Sequence, residues 1–229
     1  MQKSLFIDES PTFAKVLLPA GTGNLLELFA GGRSVGKVGE ELGMKVFSVD
    51  WQMFEGINLA IDIGEMKKED VPFVPDIVWA SPDCTTYTIA AISTHRNGTE
   101  PKSDYAKKCD QVNRHFIELI NEWEKINPNM VFFIENPRGM LRKMPFMQEL
   151  KRHTIWYCQY GDDRAKPTDI WTNSQTWKPR NICHNGNKNC HHQPAPRGSK
   201  TGTQGRKGSY ERSKIPRELC LEVLSSACR

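Results

Sequence analysis

Apolar and polar positions alternate with two periods along this chain. Short, nearly continuous apolar runs end in polar or glycine residues: Leu25–Ala30 before Gly31-Gly32, Lys45–Asp50, a short segment near Ile57–Ile61 before Asp62, Asp76–Ala80 and Met130–Ile134. Runs of this length and continuity read as strands buried on both faces, the mark of a parallel sheet. Between them, Ser34–Leu42 reads as a helix stopped by Gly43. Tyr105, Cys109, Val112, Phe116, Leu119, Ile120, Trp123 and Ile126 recur at helical spacing and predict a long amphipathic helix ended by Pro128. Thr154–Tyr160 and Asp169–Thr172 are the last strand candidates. Ile215–Cys228 reads as a closing helix with Pro216 in its first turn. Strands alternating with helices predict an α/β fold with a mainly parallel sheet.

Two stretches break the pattern. Residues 1–24 are a weakly patterned lead-in. From Trp177 to Ser213 regularity fails, and glycine, proline and basic residues dominate. The chain reads as one domain over 1–229, with 177–214 as a basic insertion within it. There are no internal repeats.

Charge changes this picture locally. The formal net charge is +4, but between Lys178 and Lys214 nine Lys or Arg face the single acid Glu211, so the remainder is net negative. A basic block of this kind is expected of a chain that meets phosphates; a solubilising loop is the plain alternative. No apolar stretch approaches the roughly 20 residues needed to cross a bilayer, so no membrane partner is expected. The N-terminus lacks the long apolar segment of a secretory leader. Seven cysteines, an odd number scattered through core-like segments, fit reduced thiols in the cytoplasm.

The chemistry-bearing residues fall at strand ends. Ligands collect beyond the carboxyl ends of strands in open α/β sheets. The Gly31-Gly32 turn follows the first strand and lets backbone approach a ligand. Asp50 ends the second strand about twenty residues on, where an acid can accept from ribose hydroxyls. Trp51 can pack on an adenine face, and Asp62 can accept from an adenine amino group. Together they favour an adenosyl ligand. Cys84, in Ser81-Pro82-Asp83-Cys84, follows the fourth strand. Glu135-Asn136-Pro137 follows the fifth. A thiol and a carboxyl side by side suggest covalent attack on a base that needs protonation.

At these residues the chain resembles the class I S-adenosylmethionine-dependent methyltransferases, and more narrowly the DNA cytosine-5 methyltransferases. Phe29-Ala30-Gly31 resembles the family's Phe-x-Gly cofactor motif, with Glu27 where the family often has Asp and Arg33 where a second glycine is common. Pro82-Asp83-Cys84 resembles its Pro-Cys motif with Asp83 interposed. Glu135-Asn136-Pro137 is similar to its Glu-Asn-Val motif. Tyr160-Gly161-Asp162-Asp163-Arg164 with Lys166 resembles its Gln-x-Arg-x-Arg strand, without the glutamine and with lysine at the second arginine. Arg212-Ser213-Lys214-Ile215-Pro216 stands where the family has a late Asn-x-Val-Pro motif. The compact length is similar to enzymes of phages and other mobile elements.

The resemblance implies a Rossmann-like class I fold with a seven-stranded, mainly parallel sheet. It implies S-adenosyl-L-methionine held by Phe29, Ala30, Gly31, Gly32, Asp50, Trp51, Asp62, Ile63 and Ser81. It further implies Cys84 as nucleophile at cytosine carbon 6, Glu135 as proton donor to N3, Asn136 holding the carboxylate or its loop, and Arg164 steadying the cytosine carbonyl. Thr85, Thr86, Lys166, Arg197, Lys200, Arg206 and Lys207 are the expected DNA contacts. The polar loop Thr85–Asp104 either closes over an extruded base or is a mobile surface loop. In it His95 reads as a loop contact, and His115 as a helix-face residue. Two rivals stand: an exocyclic-amino methyltransferase, which would have an aromatic residue at position 84, and a catalytically inactive DNA-binding scaffold. Finally Cys183, His184, Cys190 and His191, with His192 beside them, could hold a structural zinc ion; a histidine-rich surface loop is the alternative.

Overall fold

The structure is a computed structural model that describes residues 23–195 and 208–227. In chain order its elements are β1 (Asn24–Leu28), α1 (Ser34–Glu41), β2 (Lys45–Asp50), β3 (Leu59–Ala60), β4 (Ile77–Ala80), α2 (Ile92–His95), β5 (Arg96–Asn97), β6 (Glu100–Pro101), α3 (Asp104–Ile126), β7 (Val131–Pro137), β8 (Arg152–Trp156), β9 (Pro167–Thr172), α4 (Ser209–Ser213) and α5 (Arg217–Ala227). Seven strands form one sheet in the order β3-β2-β1-β4-β7-β9-β8. Neighbours are parallel from β3 through to β7. β9 runs antiparallel to both β7 and β8. The expected α/β fold with a seven-stranded, mainly parallel sheet is what the chain forms.

The apolar runs are continuous because both faces of the sheet are covered, and the period-two pleat divides them. Leu26, Leu28, Val78, Ala80, Phe132 and Ile134 face α3, where Cys109, Phe116, Leu119, Ile120 and Trp123 fill the core. Their sheet neighbours Leu25, Ile77, Trp79 and Phe133 face the other way, toward Val35 and Val38 of α1 and Leu219, Val223 and Leu224 of α5. Ser103 caps α3, its hydroxyl accepting from the Ala106 N–H at 3.1 Å. Gly36 lets α1 lie close over β1: a Cβ there would stand 2.5 Å from a Glu27 carboxylate oxygen.

Four features differ from expectation. β7 continues through Glu135, Asn136 and Pro137, because reversed β9 keeps pairing with it: Glu135 opposite Ile170, Asn136 opposite Asp169 and Pro137 opposite Thr168. The expected strand to Tyr160 stops at Trp156, and Tyr157–Tyr160 turns as a 3-10 helix. The 85–104 segment carries structure of its own, namely α2 and the antiparallel β5-β6 pair. α5 starts at Arg217, with Pro216 just before it, accepting from the Cys220 N–H at 3.1 Å.

Candidate functional site

The topology delivers several chain ends to one edge. β1, β2, β4 and β7 are parallel, so Phe29, Trp51, Ser81 and the end of β7 all emerge there. β8 runs the same way, so Tyr157 leaves at that edge. β9 is reversed and begins there, which brings in Arg164 and Lys166.

At the β1 end, Phe29 and Arg33 both have left-handed backbone (φ 57°) and Gly31 has φ 48°. Two non-glycine residues held so in one turn store strain, a feature that gathers at ligand-binding loops. The Gly31 N–H donates to Asp50 at 2.9 Å, and the Gln52 N–H donates to its other oxygen at 3.1 Å. Asp50 is thereby locked to the glycine turn. Trp51 is 73 % exposed. Asp62 pairs with Lys108 at 2.9 Å and accepts from the Gly64 N–H; partial burial pushes its carboxyl up, but Lys108 and that N–H outweigh it and hold it below its ordinary value. Ile63 is buried in the α3-side core, so its side chain is part of the packing rather than of a pocket wall. Ser81 accepts from the Trp79 indole N–H at 2.8 Å. Glu27 is turned inward: it accepts from the Val35 N–H and the Ser48 hydroxyl, and burial raises its pKa. Across the turn, Tyr210 stands over Gly32, where a Cβ would meet its ring at 2.8 Å.

At the β4 and β7 ends, the Asn136 side-chain N–H donates to the Pro82 carbonyl at 2.9 Å. That bond ties the two strand ends together. Glu135 is buried and accepts from the Tyr157 hydroxyl at 2.8 Å, with the Lys166 ammonium 4.0 Å from the same oxygen. Cys84 is half-buried. Burial pushes its thiol up to about 11; Lys166 opposes the rise, and the negative charges of Glu135 and Asp83 add to it. Desolvation also lowers the Lys166 pKa, against the pull of Glu135. Cys84, Glu135 and Lys166 therefore form one electrostatically coupled group.

Lys166 was expected at a DNA surface. It is buried over the Tyr157 ring, 4.6 Å from its centroid, because the reversed strand β9 begins inside the edge. Thr86, also expected at DNA, is fully buried, and its hydroxyl accepts from Arg96. Thr85 is exposed. Arg164 spends its guanidinium on Asp162 and on the carbonyls of Arg212 and Lys214, both at 3.2 Å. It holds the late 212–214 segment against the site, while the Ile215 N–H reaches Ser34 of α1 at 3.3 Å. Arg197, Lys200, Arg206 and Lys207 lie outside the described residues.

Sequence reasoning missed Arg96. It is buried, paired with Asp110 by two bonds of 2.6 and 3.1 Å, and donates to the Thr86 carbonyl at 2.9 Å. The Tyr87 hydroxyl joins at Asp110 and Asn113 donates to it. This network clamps the turn after Cys84 onto α3. Asp83 also binds α3, accepting from Tyr105. His95 meets Ser103 at 2.8 Å, and His115 meets the Met66 carbonyl at 2.7 Å.

The metal set differs from the expected one. Cys158, Cys183, Cys190 and His192 have ligand atoms within 4.8 Å of one another. His184 instead faces the Asn185 carbonyl and His191 the Asp162 carbonyl.

The strand order, with its one reversed strand between β7 and β8, decides the architecture. The fold is a Rossmann-like α/β fold. Among solved structures the chain is similar to an Entamoeba histolytica methyltransferase, EhMeth (13 % identity, TM-score 0.48, covering 69 % of this chain and 55 % of that one). It is also similar to the S. pombe Dnmt2 methyltransferase (13 %, 0.47, 70 % and 52 %) and to a mutant Spodoptera frugiperda DNMT2 (17 %, 0.46, 75 % and 57 %). The chain thus spans little more than half the length of these proteins. No protein-family profile matches it, and no curated protein does. Among the described residues, no helix is long and apolar enough to cross a membrane.

Proposed function

We propose that this chain is a DNA cytosine-5 methyltransferase that works through a covalent Cys84 adduct. The observation that carries the reading is the Asn136–Pro82 hydrogen bond, which couples the strand end bearing Cys84 to the one bearing Glu135, whose carboxylate has the Lys166 ammonium 4.0 Å away. A nucleophile, an acid and a cation around one point suit a pyrimidine that must be attacked at one ring position and protonated at another.

The residues at the β1–β2 end fit S-adenosyl-L-methionine. Asp50 takes one backbone N–H on each oxygen and keeps lone pairs for ribose hydroxyls. The exposed Trp51 indole beside it can lie against a purine. When bound, the cofactor supplies an electrophilic methyl group. The chain's residues do the rest. The Cys84 thiol proton passes to the Glu135 carboxylate as the sulfur adds to carbon 6, and the Lys166 cation favours the thiolate. Glu135 serves N3 through its second oxygen, since the first is held by Tyr157. Addition makes carbon 5 enamine-like and able to take the methyl group. A solvent water takes the carbon 5 proton as the thiolate leaves, and N3 returns its proton to Glu135. Arg164 acts as a positioning residue, holding 212–214 over the site.

The test is a trapping experiment with cofactor and DNA containing 5-fluorocytosine, which has no removable carbon 5 proton. A covalent adduct should accumulate with the native chain and be absent from Cys84→Ser. Equal trapping by Cys84→Ser sinks the reading. A parallel arm with fluorinated RNA separates the substrate classes: trapping on RNA alone overturns the DNA assignment. Methyl groups recovered on an exocyclic nitrogen select the amino-methyltransferase, and cofactor binding without transfer to any substrate selects the inactive scaffold.

A further inference from the structure

The Cys/His cluster lies apart from the chemistry just described, and nothing in the proposed reaction uses it. Cys158 comes from the turn after β8, while Cys183, Cys190 and His192 come from the irregular segment beyond Trp177. Their ligand atoms all fall within 4.8 Å of one another, and Cys183 Sγ is 3.8 Å from His192 Nδ1. Tetrahedral zinc, with Zn–S of about 2.3 Å and Zn–N of about 2.0 Å, separates its ligand atoms by about 3.5–3.8 Å. The cluster is close to that spacing.

Ordinary core packing does not account for it. The apolar company of these sulfurs is thin: Ala165 and the partly buried Trp156. The buried His192 imidazole turns Nδ1 toward the Cys183 sulfur, and its Nε2 has no hydrogen-bond partner among the described residues, so no hydrogen bond to an oxygen or nitrogen acceptor orients the ring. Polar N–H groups are aimed at sulfur instead: Asn187 donates to Cys183 at 3.4 Å, and Gln159 lies 3.8 Å from Cys190 and 3.9 Å from Cys158. Donors around sulfur favour thiolates and are the usual outer partners of a thiolate–metal centre. A disulfide would use two of the three sulfurs and leave the third and the histidine unexplained.

We propose that Cys158, Cys183, Cys190 and His192 bind one structural zinc ion. All four positions would be filled by protein, leaving no open position for catalysis. Binding displaces the protons of the three thiols, so affinity falls in acid. The ion fixes the entry to the basic segment. His192 is followed by Gln193, whose N–H donates to the Asp163 carbonyl at 3.0 Å and which bridges to Arg164. His191 binds the Asp162 carbonyl at 3.0 Å. Zinc therefore staples the irregular segment to the strand approach that carries Arg164 and Lys166.

The test needs no methyl transfer, so it stands or falls separately from the proposed reaction. The full-length chain, purified reduced and without a histidine tag, should carry one zinc ion per chain by elemental analysis. Replacing zinc by cobalt(II) should give the intense visible absorption of a tetrahedral thiolate site. Cys190→Ala and His192→Ala should lose most of the zinc, while His184→Ala and His191→Ala keep it. Reduced native protein that takes up neither zinc nor cobalt in stoichiometric amount overturns the proposal, as does loss of metal in His184→Ala with retention in His192→Ala. Should the ligand variants fail to fold, the native stoichiometry and cobalt spectrum decide.

Discussion

The reactivity of Cys84 in the free protein is a direct consequence of its surroundings. Its thiol is pushed up to about 11 by burial, with Glu135 and Asp83 adding to the rise and Lys166 opposing it. At pH 7 the thiolate fraction is then about 10⁻⁴, against about 3 % for an ordinary cysteine of pKa about 8.5, a deficit of about 300-fold. A more basic thiolate is a better nucleophile, and a Brønsted slope of about 0.4–0.5 returns about tenfold of this. Exchange with a small aromatic disulfide should thus be about 30-fold slower than for free cysteine, before any shielding by half-burial. The assay quantifies the modified Cys84 peptide by mass spectrometry from pH 6 to pH 11. The rate should rise about tenfold per pH step without levelling before about pH 10. Two variants test the causes. Lys166→Met removes the favourable cation and should slow exchange at every pH below the plateau. Asp83→Asn removes an unfavourable anion, keeps an acceptor for the Thr85 N–H, and should speed it. A plateau at or below pH 9, or both variants shifting the rate the same way, refutes the reasoning.

Other outcomes follow from the same contacts. Asn136→Ala breaks the bond to Pro82 and leaves a buried carbonyl unpaired, so it should cost about 1–3 kcal/mol in urea unfolding and sharply reduce trapping on fluorinated DNA; unchanged trapping would remove Asn136 from the site. Arg96→Met leaves Asp110 buried without its partner and should cost about 3–5 kcal/mol, a fall of about 10 °C in Tm by calorimetry. Stability should also fall at alkaline pH. Cys84 and Cys109 are both raised to about 11 by burial, so the folded state favours their neutral forms. That contribution is whole below the unfolded thiol pKa and is lost as pH rises through the folded one, so the urea midpoint should drop between about pH 9 and pH 11. A flat profile across that window contradicts it.

What the sequence disclosed, and what it withheld, follows from range. Buried parallel strands are apolar on both faces, so Leu25–Leu28, Lys45–Asp50 and Ile77–Ala80 announced themselves as runs. The long helix did so by its periodicity. Glu135 and Asn136 were found as strand-end residues, but their place inside β7 depends on pairing with β9 more than thirty residues away. Lys166 reads as a DNA contact from its place in the Arg-motif resemblance, and the reversal of β9 buries it instead. His184 and His191 were grouped with the cysteines by adjacency in sequence. The loop turns them outward, and the fourth ligand, Cys158, lies 25 positions before Cys183. Arg96 sits in a polar stretch with no local signal, and its partner Asp110 lies 14 positions on and meets it once α3 is in place.

That same arginine limits how the 85–104 segment can move. From the sequence the segment reads as a loop that closes over a base or as a mobile surface loop. It is pinned at both ends: Arg96 holds the Thr86 carbonyl and hydroxyl and Asp110, Asp83 holds the Thr85 N–H and Tyr105, and His95 holds Ser103. Between the anchors, Ile89 is half-exposed, the backbone makes short-range turn bonds around Ala91, and one exposed side chain, Lys102, donates to the Ser93 carbonyl at 2.7 Å. Rearrangement over a substrate is therefore confined to about Thr88–Thr94, while Cys84 sits between Pro82, held by Asn136, and Thr86, held by Arg96. Hydrogen exchange measures this directly, since local opening follows the density of buried contacts. Amides from Thr88 to Thr94 should exchange early, and that of Tyr87, bonded to the Cys84 carbonyl at 3.0 Å, should persist with α3. If residues 84–104 exchange together as one fast block, the clamp does not hold, and the nucleophile moves with the loop rather than waiting beneath it.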